Sequence, residues 1–323
     1  MRRIQQLLGQ LSPAGKMPRW GQLFAVALSM VLFFQACGSS DTATVAPSSG
    51  AVTSEQSGGE SGQSSTMENL VNEHSGDVPN PTPVALAEPT VPVVGEDIVY
   101  ATVDGQSVKG YLAQPEASVG QALPAIIAIH EWWGLNDNIR ATSRRLAGEG
   151  YTVLALDLYG GKVANDPATA RDLTRTVTDN PGSAQDNIAQ AAQFLTEQYD
   201  APEIGSIGWC FGGNWSLRTG LLLPDLDAMA IYYGQLILAP EALDGLDMPV
   251  IGFFGEDDSS IPVEDVENFE QILNDLGKTA SINLYPGVGH AFANPSGNNY
   301  NPEAAEDAWE KTMAFFAQYL QAG

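Results

Sequence analysis

The run Gly208-Trp-Cys-Phe-Gly-Gly213 constrains this chain most. Glu203–Gly208 ahead of it reads as a short buried strand, and Asn214–Leu223 after it as a helix. A strand that reverses into a helix through Gly-x-Cys-x-Gly-Gly holds the cysteine on a strained turn at the edge of a sheet. Glycines suit positions 208 and 212, because side chains there would collide where the chain passes close to itself. The helix that follows aims its N-terminus at Cys210, which favours a thiolate and a developing oxyanion. The same residues also suit a buried structural cysteine beside a tight turn. The choice rests on partners elsewhere in the chain.

Three regions of different composition precede and contain this turn. Residues 1–37 combine basic Arg2, Arg3, Lys16 and Arg19 with the apolar run Leu23–Phe34 and end in Phe34-Gln-Ala-Cys37. This pattern reads as an export signal and resembles a bacterial lipoprotein signal, in which Cys37 is lipidated. An uncleaved anchor or a plain secretory signal fits the same residues. The apolar run is shorter than the ~20 residues that span a bilayer. Lipidation of Cys37 would anchor the chain to a membrane, facing the periplasm or cell exterior. It would also leave Cys210, the only other cysteine, without an intrachain partner. Residues 38–97 are rich in Ser, Gly, Thr and Pro, with nine acidic residues and no Lys or Arg. They read as a disordered tether in which His74 is inert. Residues 98–323 suit one domain with a substantial core. A net charge of −25 with no basic cluster excludes nucleic acid as a partner; nothing in the sequence names a protein partner.

In that domain, strands alternate with helices. Ile98–Val103 and Ser107–Gln114 form a hairpin around Asp104-Gly105, and Pro124–His130 is an apolar run typical of a strand covered on both faces. Further strands are expected at Tyr151–Asp157, Ala228–Tyr233, Pro249–Gly255 and Ala280–Tyr285. Helices are expected at Asn138–Glu149, Pro167–Thr178, Ala184–Gln198, Pro262–Leu276 and Pro302–Tyr319. The order implies an α/β fold, a mostly parallel sheet with helices on both faces. Ligand sites in such sheets lie beyond the carboxyl ends of the strands. Acidic Glu256-Asp-Asp258 follows one such strand, and Pro286-Gly-Val-Gly-His290 the next. Cysteine, acid and histidine then occur in the chain order of a nucleophile, an orienting carboxylate and a base. The three histidines, at 74, 130 and 290, lack ligand spacing, so neither a metal site nor a cofactor is expected.

From His130-Glu-Trp-Trp-Gly134 through Asp157-Leu-Tyr159 and Gly208–Gly213 to Gly289-His-Ala-Phe292, residues 98–323 resemble the dienelactone hydrolase family of α/β-hydrolases. The resemblance implies a Cys-His-Asp triad of Cys210, His290 and Asp258. Asp258 rather than Asp257 lies four residues before Pro262, as the family pattern requires. It implies that Glu131 contacts the cysteine and helps generate thiolate when substrate binds, and that the N–H groups of Phe211 and Trp132 form the oxyanion hole. It also implies hydrolysis of a small ester or lactone, as by a carboxymethylenebutenolidase. Members that bind a substrate carboxylate use an arginine where this chain has Asn294, so Asn294, Trp133 and Arg171 are the substrate-binding candidates, and Arg175 lies in the same stretch as Arg171. Trp132, Trp133, Phe211 and Trp215 suggest an aromatic pocket. Other activities of the fold remain open alternatives: thioesterase, carbohydrate esterase, peptidase, or a non-catalytic surface-binding lipoprotein.

Overall fold

A computed structural model describes residues 68–74, 76–77 and 79–321. The export signal, Cys37 and most of the expected tether lie outside the described residues.

Eight strands form one sheet in the order β1-β2-β4-β3-β5-β6-β7-β8. They are β1 (Val93–Val103), β2 (Gln106–Pro115), β3 (Ala125–Ile129), β4 (Thr152–Leu156), β5 (Ile204–Trp209), β6 (Ala228–Tyr232), β7 (Val250–Gly255) and β8 (Ala280–Tyr285). β1 and β2 pair antiparallel, as do β2 and β4, and every pairing from β4 through β8 is parallel. Every residue of β3, β4, β6 and β7 is buried, on both sides of the pleat. Alternate residues point to opposite faces, so helices must cover both. The sequence reading of a mostly parallel α/β sheet holds.

The helices are α1 (Asp137–Gly148), α2 (Pro167–Asp179), α3 (Pro181–Tyr199), α4 (Phe211–Leu222), α5 (Pro240–Leu243), α6 (Val263–Asp275) and α7 (Pro302–Leu320). Local signals start several of them. Asn136, Asp166 and Asn301 accept hydrogen bonds from the N–H groups of Ile139, Thr169 and Ala304, and Pro167 and Pro302 occupy the first turn. None of the described helices is long and apolar enough to cross a membrane.

Two boundaries shift for a physical reason. β1 begins at Val93 rather than Ile98, since Val93–Asp97 pair with Tyr111–Pro115 of β2 although their side chains are mostly exposed. Cross-strand pairing holds this stretch, and pairing leaves no hydrophobic alternation to read. α4 begins at Phe211, directly after the cysteine, so the turn contains no spare residue.

The segment ahead of β1 departs further from expectation. Residues 68–73 form a helical turn whose Leu70 and Val71 pack on the core. Glu73 accepts hydrogen bonds from the backbone N–H and hydroxyl of Ser259 at 2.9 and 2.6 Å, and Asn69 donates to the Ser259 carbonyl at 2.8 Å. Asp77 accepts from the Asn298 N–H at 2.7 Å, and Thr82 donates from its hydroxyl to the Pro295 carbonyl and from its N–H to Ser296. This part of the expected tether is therefore fastened by polar contacts to the loops after β7 and β8.

Candidate active site

The elbow places Cys210 where β5 becomes α4. Cys210 has φ +55°, a conformation that costs ~1–3 kcal/mol for a residue other than glycine. Its N–H donates to the Tyr232 carbonyl at 3.0 Å, and its own carbonyl accepts from Gly213 at 2.9 Å and Asn214 at 3.2 Å. A Cβ at Gly208 would strike the Gly212 carbonyl, and one at Gly212 would strike the carbonyls of Ile129 and His130. Both glycines are thus required, as the sequence pattern suggested. Phe211 is the first helical residue, so its N–H has no intrahelical carbonyl. Trp132 lies just beyond the end of β3, the strand that pairs with β5.

The loop after β7 presents Asp258. Its Oδ1 accepts from the N–H groups of Ser260 at 2.8 Å and Ile261 at 3.0 Å, which leaves Oδ2 to accept from His290 Nδ1 at 2.7 Å. Asp257 is exposed and makes no such contact. His290, on the loop after β8, directs its buried Nε2 toward Cys210, and among the described residues no partner of ordinary hydrogen-bond geometry meets that atom. The Sγ of Cys210 and a ring nitrogen of His290 lie within 4.8 Å. Burial opposes charge on His290, but Asp258 and the adjacent sulfur outweigh it and hold the imidazole well above its ordinary range. Burial likewise opposes the Cys210 thiolate, yet His290 and then His74 bring the thiol down to about 6.

Glu131 sits behind this pair. Its Oε2 accepts from Asn294 Nδ2 at 2.8 Å, while Oε1 is buried without a partner. Burial first, and repulsion by Cys210 second, push its carboxyl up to about 8, so it is mostly protonated near neutrality. Asn294 uses the other end of its amide to accept from the Ser296 N–H at 2.9 Å. Asn294, a substrate-binding candidate from the sequence, thus holds Glu131 in place. Arg171 and Arg175 are exposed on α2, whose buried face is Ala170, Thr174 and Val177, and Arg171 lies 3.8 Å from its neighbour Asp172. The structure does not bring either arginine to the site. Trp133 is buried, with its ring 5.0 Å from that of Trp132, and Trp215 is core beside Phe211.

The residue most misjudged by sequence is His74. Read as an inert tether residue, it is fully buried in the site. Its ring stacks on Trp132 at 4.5 Å and meets His290 edge-on at 5.3 Å. Nε2 lies 3.9 Å from Cys210 Sγ, and Nδ1 lies 2.8 Å from Asp77 Oδ2. Burial opposes its charge, but the bond to Asp77 and then the sulfur raise it to about 9. Asp77 and Tyr233 were also missed. Tyr233 follows β6 at φ +36°, with its buried ring 5.3 Å from that of His290. The scarcity of histidine in the chain was the one available signal for His74. His130, by contrast, is structural: Nδ1 donates to the Glu131 carbonyl at 2.6 Å and Nε2 accepts from Leu158 at 3.2 Å.

Similarity to known proteins agrees with this geometry. Residues 108–320 match the model of the dienelactone hydrolase family. The chain is 34% identical over 225 residues to "Protein usf" of Aquifex pyrophilus, covering 67% of this chain and 96% of that one. It is 36% identical over 242 residues to a "Putative carboxymethylenebutenolidase" of Synechocystis sp., covering 68% of this chain and 96% of that one. The crystal structure of a "Putative Dienelactone Hydrolase" from Klebsiella pneumoniae superposes with a TM-score of 0.63 at 28% identity, covering 71% of this chain and all of that one. A cysteine on a strained elbow, in a fold shared over nearly the full length of these relatives, leaves one assignment: the chain belongs to the dienelactone hydrolase family and is a carboxylic ester hydrolase of that kind.

Proposed function

We propose that the chain hydrolyses a small ester or lactone through a Cys210–His290–Asp258 triad. The observation that carries this reading is the meeting of one sulfur, one Asp-bonded imidazole and one helix N-terminus beyond the carboxyl ends of β5, β7 and β8. The Cys210 thiolate attacks the carbonyl carbon, and the tetrahedral oxyanion is held by the N–H groups of Phe211 and Trp132. One such donor typically lowers the barrier by ~2.7–4 kcal/mol. His290, as imidazolium, gives its proton to the leaving alkoxide and the thioester forms. The neutral imidazole then takes a proton from water, the hydroxide adds to the thioester carbonyl, and the thiolate departs with the acid as product. Protonated Glu131 spares the thiolate a like charge at close range, a positioning role that Asn294 supports.

Cys210→Ala should abolish turnover of p-nitrophenyl acetate while the circular dichroism spectrum stays that of the parent. Undiminished hydrolysis by this variant would sink the triad. We also propose, from the composition of residues 1–37, that the chain is exported and lipidated at Cys37. Mass spectrometry of the mature N-terminus tests this, and an unmodified peptide that spans Cys37 would overturn it.

A further inference from the structure

Two buried histidine–aspartate pairs converge on one sulfur. His290 Nδ1 lies 2.7 Å from Asp258 Oδ2, and His74 Nδ1 lies 2.8 Å from Asp77 Oδ2. Both rings therefore donate from Nδ1 and leave Nε2 to face Cys210. Acyl transfer uses one such pair, so the second has no part in the reaction proposed above. The three donor atoms of His74, Cys210 and His290 all lie within 4.8 Å of one another, and among the described residues the buried His290 Nε2 has no partner of ordinary hydrogen-bond geometry.

We propose that His74, Cys210 and His290 form a binding site for a thiophilic divalent metal ion of the Zn2+ type, with one ligand supplied by the segment ahead of the domain. Thiolate and imidazole together select such ions over Mg2+ or Ca2+. Zinc bond lengths of ~2.3 Å to sulfur and ~2.0–2.1 Å to nitrogen place tetrahedral S and N donors about 3.6 Å apart. The 3.9 Å between His74 Nε2 and Cys210 Sγ closes to that value with a small movement. Carboxylates on the far ring nitrogens, here Asp77 and Asp258, are the usual outer partners of metal-bound histidines and hold the ligating tautomer. On binding, the cluster releases to solvent the protons carried by the thiol and the ligating nitrogens, and the sulfur and both Nε2 lone pairs bond to the ion. The metal-loaded state has no free thiolate and no free base, and it pins His74 over the nucleophile. The site shares Cys210 and His290 with the proposed triad, and so rests in part on that reading.

Cobalt(II) gives a readout independent of turnover. The chelator-treated full chain should bind one equivalent of Co2+, with a thiolate-to-cobalt charge-transfer band and intense tetrahedral d–d bands. Cys210→Ser should lose the charge-transfer band. Asp77→Asn should weaken binding about 10- to 100-fold, and His74→Gln should weaken it at least as much. Zn2+ should silence ester hydrolysis by the parent, chelator should restore it, and His74→Gln should need correspondingly more zinc. Absence of the charge-transfer band in the parent overturns the proposal. So does parental cobalt affinity in both His74→Gln and Asp77→Asn, which would make His74 a cover for the thiol and nothing more. Should Cys210→Ala retain hydrolysis, the triad fails while the cobalt spectrum still decides the metal site.

Discussion

Replacing His290 with glutamine should return to Cys210 most of the proton affinity that the site removes. The thiol lies at about 6 against an ordinary value of 9.0. That difference corresponds to about 4 kcal/mol in favour of the thiolate, at ~1.36 kcal/mol per pH unit. Burial, the largest influence, acts in the opposite direction, so the stabilising contribution must exceed the net value. The charge of His290 and its contact with the sulfur are the two strongest influences that lower the thiol, with His74 behind them. His290→Gln removes both and leaves the burial in place. The apparent midpoint should therefore rise by about two pH units or more, near 3 kcal/mol. The assay is the ultraviolet absorbance of the thiolate followed against pH in chelator-treated protein, with Cys210→Ala as blank. No reagent has to reach the sulfur, which is only 3% exposed. A parental midpoint near 9, or a His290→Gln midpoint within about half a unit of the parent, would refute this electrostatic account.

Two further outcomes follow from particular contacts. Asp258→Asn should lower kcat/KM by ~10³–10⁴, because the amide can fix the wrong tautomer of His290, whereas Asp257→Asn should leave it nearly unchanged; the reverse ranking with p-nitrophenyl acetate would mean the wrong carboxylate has been identified. His74 is raised to about 9 in the folded state from an ordinary 6.5, so its contribution to stability is complete below pH 6.5 and fades as the pH rises through 9. The melting temperature of His74→Gln should thus fall furthest below the parent near pH 6 and converge with it by pH 9; a gap that widens with pH would contradict the ion pair with Asp77.

What the sequence made legible divides along a physical line. Apolar runs such as Ala125–Ile129 and Val250–Gly255 announce buried strands, because burial on both faces demands unbroken hydrophobicity. Their carboxyl ends then place Cys210, Asp258 and His290 at one rim, and backbone closeness explains Gly208 and Gly212. Residues 68–82 follow no such rule. Glu73, Asp77 and Thr82 dock through hydrogen bonds to loop residues Ser259, Asn298 and Pro295, and such bonds leave no periodic trace. A short Ser/Gly/Pro-rich stretch lacks the apolar area to fold alone, so its order depends on a surface that only the finished domain provides. The bond between Asn294 and Glu131 was hidden for a related reason: the position of Asn294 was legible, but the Glu131 carboxyl that engages it comes from another strand end.

The charge around the sulfur also restricts which esters this site should prefer. The imidazoles of His74 and His290 offset Asp77 and Asp258 and Glu131 is mostly protonated, which leaves the thiolate charge, while Arg171 and Arg175 face solvent on α2 and Asn294 is bonded to Glu131. Among the described residues, neither arginine of α2 is therefore placed to receive a substrate carboxylate. A carboxylate on the acyl group about 8 Å from the Cys210 thiolate would raise the energy by about 2 kcal/mol at an effective dielectric of ~20. That is on the order of 30-fold in rate, and added salt would reduce it only partly in a buried site. p-Nitrophenyl acetate should therefore be cleaved at least ~10-fold faster than p-nitrophenyl hydrogen succinate, with kcat/KM compared at low and high ionic strength. Faster cleavage of the succinate would require a cation beyond the imidazoles of His74 and His290, which are already paired with Asp77 and Asp258. Such a result would direct attention to an arginine brought in by movement of α2.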